Sequence, residues 1–346
     1  MADGASWRAL AERYGIQIRL AALAIVVIVL ILLPLLGNRA LMQDLFFVFT
    51  MLALAQYWNL LAGYAGLVSV GQQAFVGLGA YALFAAALIL GWDPLLGIVA
   101  GGVVAAVLAL PTALVVFRLR GAYFAIGTWV AAEVFRLVLA QFKTTLGGGT
   151  GTSLGPDITN SMTGLPWIKE TFDVRTPEAR DIAVYWLALL LLAGTLALVY
   201  FLLRSRRGLA LAAIRDSETA AVSLGVDSFR TRLTIYVIAA FGTGLVGALI
   251  YLQKARVSPD AAFSVLDWTA YVIFIVVIGG IGTIEGPIVG AIVLYFLQDY
   301  LAHFGTWYLI TLGALAAAVM LVAPRGLWGY FADRYDIQIF PLRRRL

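Results

Sequence analysis

About ten times between residues 21 and 322 the chain enters an apolar run of roughly the length that crosses a bilayer. That recurrence constrains its fold more than any other feature. A helix spanning about 30 Å of hydrocarbon needs roughly 20 predominantly apolar residues. Runs that meet or approach this length occupy residues 21–36, 41–62, 71–90, 95–117, 122–142, 182–203, 233–252, 268–284, 287–301 and 307–322, the eighth and ninth being short. With 62% of residues hydrophobic and 12% charged, the chain holds more apolar surface than a soluble core uses. The expected fold is an all-α polytopic membrane protein of about ten transmembrane helices. Because the hydrophobicity is spread along residues 1–346, a single membrane domain is expected, without a soluble one.

The basic residues predict an orientation, since cytoplasmic loops are enriched in Lys and Arg. With the N-terminus inside, the inner segments hold Arg8, Arg13 and Arg19, then Arg118 and Arg120, then the arginines of 204–232, and finally Arg325 and Arg343 to Arg345. The outer segments hold fewer: Arg39, Lys254, Arg256, and a 143–181 loop whose Lys143, Lys169, Arg175 and Arg180 are balanced by Asp157, Glu170, Asp173 and Glu178. An even number of spans with both termini cytoplasmic satisfies this bias. No small-residue cleavage pattern follows the N-terminal arginines, which predicts an uncleaved first span. The net charge of +5 forms no broad basic face, so the expected partner surface is membrane lipid and not nucleic acid.

Two loops exceed simple connectors. Residues 143–181, rich in Gly, Thr, Ser and Pro, are expected to pack over the outer mouth. Residues 204–232 mix charge with helix formers; Asp216 or Ser217 is placed to cap a short helix from Glu218 to Leu224, stopped by Gly225. That predicts a structured cytoplasmic loop able to seat in a partner's groove, the plainer reading being a solvated amphipathic connector.

Several chemistries are excluded. There is no cysteine and one histidine, His303, so neither disulfides nor a multi-His metal site can form within the chain. GxxxxGK[ST] and HExxH are absent, so the chain carries no phosphate loop; GxSxG is matched only by GTSLG at Gly151 to Gly155 in the Gly-rich loop, and with His303 the single histidine no Ser, His, Asp set is plausible. No enzyme activity and no cofactor are expected of it.

The informative polar residues lie in two glycine clusters. GYAGLVSVGQQAFVGLGAY holds Gly63, Gly66, Gly71, Gly77 and Gly79 with Ser69, Gln72 and Gln73, while GGIGTIEGPIVGA holds Gly280, Gly282 and Gly286 with Thr283 and Glu285. Small residues at such spacings let helix backbones approach. Polar neighbours add a second reading, because broken backbone at membrane depth survives only where it is buried in protein or lines a watery cavity. Paired interruptions in two halves of a chain also mark pseudo-symmetric transport folds, though identity between these two segments is poor. Among ionisable residues in or near spans, Glu133 and Arg136 stand three apart and suit an ion pair. Asp44, Asp299 and His303 fall near span ends, and Glu133 and Glu285 remain as pathway candidates.

GYAGLVSVGQQAFVGLGAY, RGLALAAIRDSETAAVSLGVD and GGIGTIEGPIVGA, in that order, resemble the permease subunits of branched-chain amino-acid ABC importers of the LivM type, over about residue 40 to Gly326. The resemblance implies a multi-pass permease of the bacterial inner membrane. Its implied partners are a second, homologous permease, two cytoplasmic ATPase subunits that bind ATP and Mg, and an extracytoplasmic solute-binding protein. It also implies that the 204–232 loop is the coupling element, with Arg215, Asp216, Glu218, Ala221 and Gly225 in the docking helix. The family's E-A-A-x-x-x-G pattern is altered here: Thr219 replaces the first Ala and Gly225 falls one place late. Similar permeases serve urea, short amides, aromatic acids and other amino acids, so the solute stays open. A self-sufficient secondary transporter is the alternative of a different class; it would need a membrane-centred carboxylate, for which Glu133 and Glu285 are available.

Overall fold

The computed structural model describes residues 25–34, 38–323, 325–335 and 340. The expectations for Arg8, Arg13, Arg19, Arg343 to Arg345 and the placement of both termini lie outside them. The described chain is almost wholly helical. Helix α1 (Ile25–Pro34) leads to α2 (Arg39–Asn59), a π-helical turn at Leu60–Tyr64, α3 (Gln72–Leu88), α4 (Pro94–Val116) and α5 (Ala122–Leu139). The long loop contains β1 (Thr152–Ser153), α6 (Pro156–Asn160) and α7 (Leu165–Phe172). Then come α8 (Thr176–Arg204), α9 (Arg206–Asp216), α10 (Glu218–Ser223), α11 (Ser228–Lys254), β2 (Arg256–Val257) and α12 (Pro259–Ala262). A second π turn at Leu266–Ala270 runs into α13 (Tyr271–Gly279), followed by α14 (Glu285–Leu301), α15 (Thr306–Val322) and α16 (Gly326–Tyr335).

Among the described residues, seven helical segments are long and apolar enough to cross a membrane: Arg39–Tyr64, Pro94–Val116, Ala122–Leu139, Thr176–Arg204, Ser228–Lys254, Pro259–Gly279 and Trp307–Ala332. The difference from ten has two sources. The first run is described only over Ile25–Pro34, and α3 and α14 hold 17 residues each because the chain beside them unwinds. The outward faces are those of a protein solvated by hydrocarbon. Val99, Val103, Val107, Leu110 and Leu114 on α4, and Ile126, Trp129, Val130 and Val134 on α5, are all exposed. Such a face would be an aggregation surface in water.

Helix α3 is the centre of the bundle, with both its glutamines and nearly all its apolar residues buried. It lies against α4 and α11 along a seam of glycines. A Cβ on Gly79 would sit on the carbonyl of Gly244, one on Gly247 would sit on the carbonyl of Val76, and one on Gly101 would lie 2.8 Å from the carbonyl oxygen of Gly79. Side chains cannot interdigitate at such a separation, so dispersion between closely apposed backbones holds the seam.

The bundle has two distinct ends. At one, Asp181, whose side chain is buried, accepts from Arg39 (Nε–Oδ2 2.5 Å) and from Gln253 (Nε2–Oδ1 3.1 Å). The long loop packs over this end. Strand β1 pairs antiparallel with β2, placing Thr152 opposite Val257, and Asp93, the N-cap of α4, accepts from both the amide (2.8 Å) and the hydroxyl (2.6 Å) of Thr163. The opposite end collects the two unwound segments, the Phe117–Gly121 turn, and α9, α10 and the start of α11.

Candidate functional site

Both glycine clusters are places where helix gives way. After the π turn the chain is non-helical from Ala65 to Gly71, and Gly66 takes a left-handed φ of +69°. After α13 it is non-helical from Gly280 to Ile284, with Gly282 at φ +76°. Each break satisfies its own polar groups. The indole of Trp58 donates to the Ser69 carbonyl (2.7 Å), the Thr128 hydroxyl accepts from the Val70 amide (3.1 Å), and Ser69 Oγ accepts from the Gly71 amide (3.2 Å). In the second break, Thr283 Oγ1 donates to the Gly280 carbonyl (2.9 Å) and accepts from the Gly286 amide (3.0 Å).

The two breaks meet. Asn59, fully buried in the last turn of α2, donates from Nδ2 to the Thr283 carbonyl (2.7 Å) and accepts at Oδ1 from the Gly282 amide (2.8 Å). One turn earlier, buried Gln56 donates to the Ile284 carbonyl (2.7 Å). Gly63 is small because the Gly282 backbone lies against it: a Cβ there would stand 2.6 Å from the Gly282 nitrogen. Segments more than 200 residues apart are thus joined by two side-chain amides acting on backbone atoms. This is how freed backbone groups are satisfied where water is scarce.

The sequence-derived candidates fall into three groups. Ser69, Gln72 and Gln73 are buried and each hydrogen-bonds within the chain, although Gln72 Oε1 has no partner among the described residues. Gln72 donates to the Leu54 carbonyl (2.8 Å), and Gln73 accepts from the Thr269 hydroxyl, whose oxygen in turn accepts from the Gln73 amide (3.3 Å). They tie α3 to α2 and to the second π turn. Gly71 and Gly77 are packing positions, closed by the Thr128 carbonyl and the Phe263 ring, as Gly79 is closed by Gly244; Gly286 is closed by the Gly280 carbonyl. Thr283 belongs to the second break, and Glu285, buried at the start of α14, accepts from the Phe340 amide (2.8 Å). Glu133 pairs with Arg136 (2.6 Å), which also reaches Asp260 (2.6 Å).

The third group lies at the end that carries α9 and α10. Ser217 caps α10 by accepting from the Ala220 amide (3.3 Å), and Gly225, at φ +86°, closes it. Ala221 is buried beneath the helix, while Val222 and Leu224 are exposed. Arg215 faces Asp216 (3.8 Å) in the open. Glu218, with its side chain half exposed, turns toward the start of α11, accepting from Ser228 Oγ (2.7 Å) and from Arg232 (2.8 and 3.1 Å). The Ser228 hydroxyl, with Arg232 and Arg120 adding to it, holds the Glu218 carboxyl below the usual carboxylate range. A lowered value means this pin persists through neutral pH and loosens only as pH falls below the ordinary glutamate range.

Between α10 and the first break lies a cavity of about 910 Å³. Its lining includes the Gly66–Val68 backbone, the aromatic residues Phe117, Phe124 and Phe229, Glu218 and Val222 of α10, and Arg120 and Arg232. Sequence reading did not single out Gln56, Asn59, Thr128, Thr269 or Arg120. The usable signal for the first two was an amide pair, three residues apart, in an otherwise apolar span.

Gly66 allows a test of the break itself. No atom lies within 4 Å of where its Cβ would be, so Gly66→Ala meets no clash and carries only the left-handed penalty of about 1–2 kcal/mol. Purified protein in detergent is expected to melt a few degrees lower, with Gly66→Asn losing less because Asn tolerates that region. Equal losses for both would remove the conformational argument.

Compared with known proteins, residues 38–324 match the family model described as branched-chain amino acid transport system / permease component. Over 283 residues the chain is 32% identical to the high-affinity branched-chain amino acid transport system permease protein LivM of Salmonella typhimurium and 33% identical to that of Escherichia coli. Each match covers 78% of this chain and 65% of the relative's length. A probable branched-chain amino acid transport permease protein LivH of Methanocaldococcus jannaschii is 26% identical over 153 residues, 42% of this chain and 46% of that protein. No solved structure matches the chain significantly.

Proposed function

The chain belongs to the family of branched-chain amino acid transport permease components, and from that premise we propose that it is one translocation subunit of an ATP-driven importer in the bacterial inner membrane. In this reading it spans the membrane about ten times and pairs with a second, homologous permease. Two cytoplasmic ATPases supply ATP and Mg chemistry, and an extracytoplasmic binding protein delivers the solute, a branched-chain or related amino acid. Urea, short amides and aromatic acids are the alternative solutes within the same reading.

The observation that carries the proposal is the way α10 is displayed and anchored. It is a short helix at one end of the bundle, with Val222 and Leu224 exposed and Glu218 fastened to Ser228 and Arg232 at the start of α11. Helix α11 then runs through the glycine seam against α3 and α4. A push on α10 by a partner ATPase would therefore reach the centre of the bundle as rigid-body motion. The arginines of 204–232 support a cytoplasmic position for that face by the positive-inside bias.

Vesicle uptake with and without the partner ATPases tests the class: solute uptake by this chain alone, without ATP, would sink it. Glu218→Lys tests the anchor, since it loses two partners and sets a cation beside Arg232 and Arg120. ATP-driven uptake should fall by about tenfold or more, equivalent to about 1.4 kcal/mol, while the chain still inserts and purifies. Unchanged uptake would show that α10 needs no such pin.

A further inference from the structure

The cavity between α10 and the first break has features that an accidental gap would not combine. Its aromatic lining is clustered. Phe117 is the hub of an aromatic cluster, its ring centroid 6.2 Å from that of Phe124, 5.9 Å from Phe229 and 5.4 Å from Tyr236. The short helix α10, held to α11 through Glu218, is part of the lining. The unwound Gly66–Val68 backbone lines the space too, with Gly66 and Val68 exposed.

The charges around it are unequally committed. Glu218 is neutralised by Arg232, and Asp227 caps the Arg230 amide (2.9 Å) and pairs with the Arg230 side chain (3.1 Å). The guanidinium of Arg120, in the exposed turn after α4, lies near enough to Glu218 to help lower its pKa, but the hydrogen bonds to that carboxylate come from Ser228 and Arg232. The site thus offers one guanidinium that feels Glu218 but is not hydrogen-bonded to it, over a space lined mainly by Leu67, Val68, Phe117, Phe124, Val222 and Phe229. That suits a small carboxylate with an apolar body: the carboxylate on a guanidinium fork, the side chain against aliphatic and aromatic walls. A volume of about 910 Å³ is ample for one amino acid and its remaining water.

We propose that this cavity is the release vestibule of the permease, where Arg120 engages the carboxylate of a departing apolar amino acid and α10 is the movable wall. The assignment rests on the transport function above and deepens it. The partner-driven helix and the solute's last compartment would then share a surface, so displacement of α10 changes the volume open to solute without relay through a long helix.

The natural absence of cysteine makes a direct test practical. A single Val68→Cys in the full-length chain, purified with its partner subunits, is reacted with a small hydrophilic thiosulfonate. L-leucine should slow labelling about tenfold at about ten times its Kd, as simple occupancy requires. L-leucinamide, which lacks the carboxylate, should protect far less. Protection should vanish when Arg120→Ala is added and partly return with Arg120→Lys, and a non-hydrolysable ATP analogue should change the labelling rate if α10 moves. Several results would overturn the vestibule: a thiol that does not label, equal protection by leucine and its amide, protection that survives Arg120→Ala, or protection that follows anionic lipid instead of leucine. An unchanged rate with the ATP analogue would remove the movable wall. ATP-driven uptake measured on the same preparation separates these failures from failure of the transport reading, because uptake can persist while protection is absent.

Discussion

Asn59→Leu should lower the melting midpoint of the detergent-purified chain by roughly 4–12 °C and remove most transport. Leucine shares asparagine's branched heavy-atom skeleton with bulkier methyl ends, so the change leaves no cavity while it removes both polar contacts. It takes the partner from the Thr283 carbonyl and from the Gly282 amide, now bonded at 2.7 and 2.8 Å to a fully buried side chain. Each orphaned buried group costs about 1–3 kcal/mol, so the pair loses about 2–6 kcal/mol, and in a protein of this size each kcal/mol moves the midpoint by about 2 °C. Transport should suffer beyond the stability loss, because the two breaks would no longer hold a common geometry. A midpoint within a degree of wild type, with normal uptake, would mean that water or a neighbouring group satisfies the breaks equally well.

The second large effect concerns the seam. Gly79→Leu should prevent recovery of folded, monodisperse protein, whereas Gly194→Leu on α8 should be recovered at wild-type yield. A Cβ at residue 79 would overlap the Gly244 backbone, which has no rotamer to yield, so α3 and α11 must separate along the buried middle of the bundle. Ordinary overpacking costs about 1–3 kcal/mol when side chains can adjust, and backbone against backbone should exceed that. No atom lies within 4 Å of the position a Cβ would take at Gly194, and there leucine's better helix propensity gives back up to about 1 kcal/mol. Gel-filtration profiles of the two variants, made in parallel, decide it; similar behaviour would show that the seam tolerates expansion.

Local features were legible in the sequence wherever a physical rule acts along the chain. The runs at 95–117 and 182–203 became α4 and α8 because about 20 apolar residues leave few alternatives to a spanning helix. The two glycine clusters were readable as interruptions, and both are. Glu133 and Arg136 were readable as a pair because three residues put them on one helix face, although the third member, Asp260, comes from 124 residues away. What the sequence withheld is who satisfies whom across the fold. Polarity at Ser69, Gln72 and Gln73 announces that partners must exist, but not whether these are solute, water or the chain's own backbone. The structure gives them Leu54, Gly71 and Thr269. Asn59 looked unremarkable at the end of an apolar run, since its partners are 223 and 224 residues later. Arg120 read as one more topology signal, and only the cavity beside it sets it apart.

The loop at the other end carries a consequence of its own. It is stitched to β2 beyond α11 through β1, and to the N-cap of α4 through Thr163, two elements that also flank the central helix. A cover sewn down at separated points cannot flap independently of what lies beneath; it tilts when those helices tilt. Any visitor alighting there therefore senses the state of the bundle, and by reciprocity its grip favours whichever state it fits. The loop is in that sense a dial connected to the works, readable and turnable from the same side.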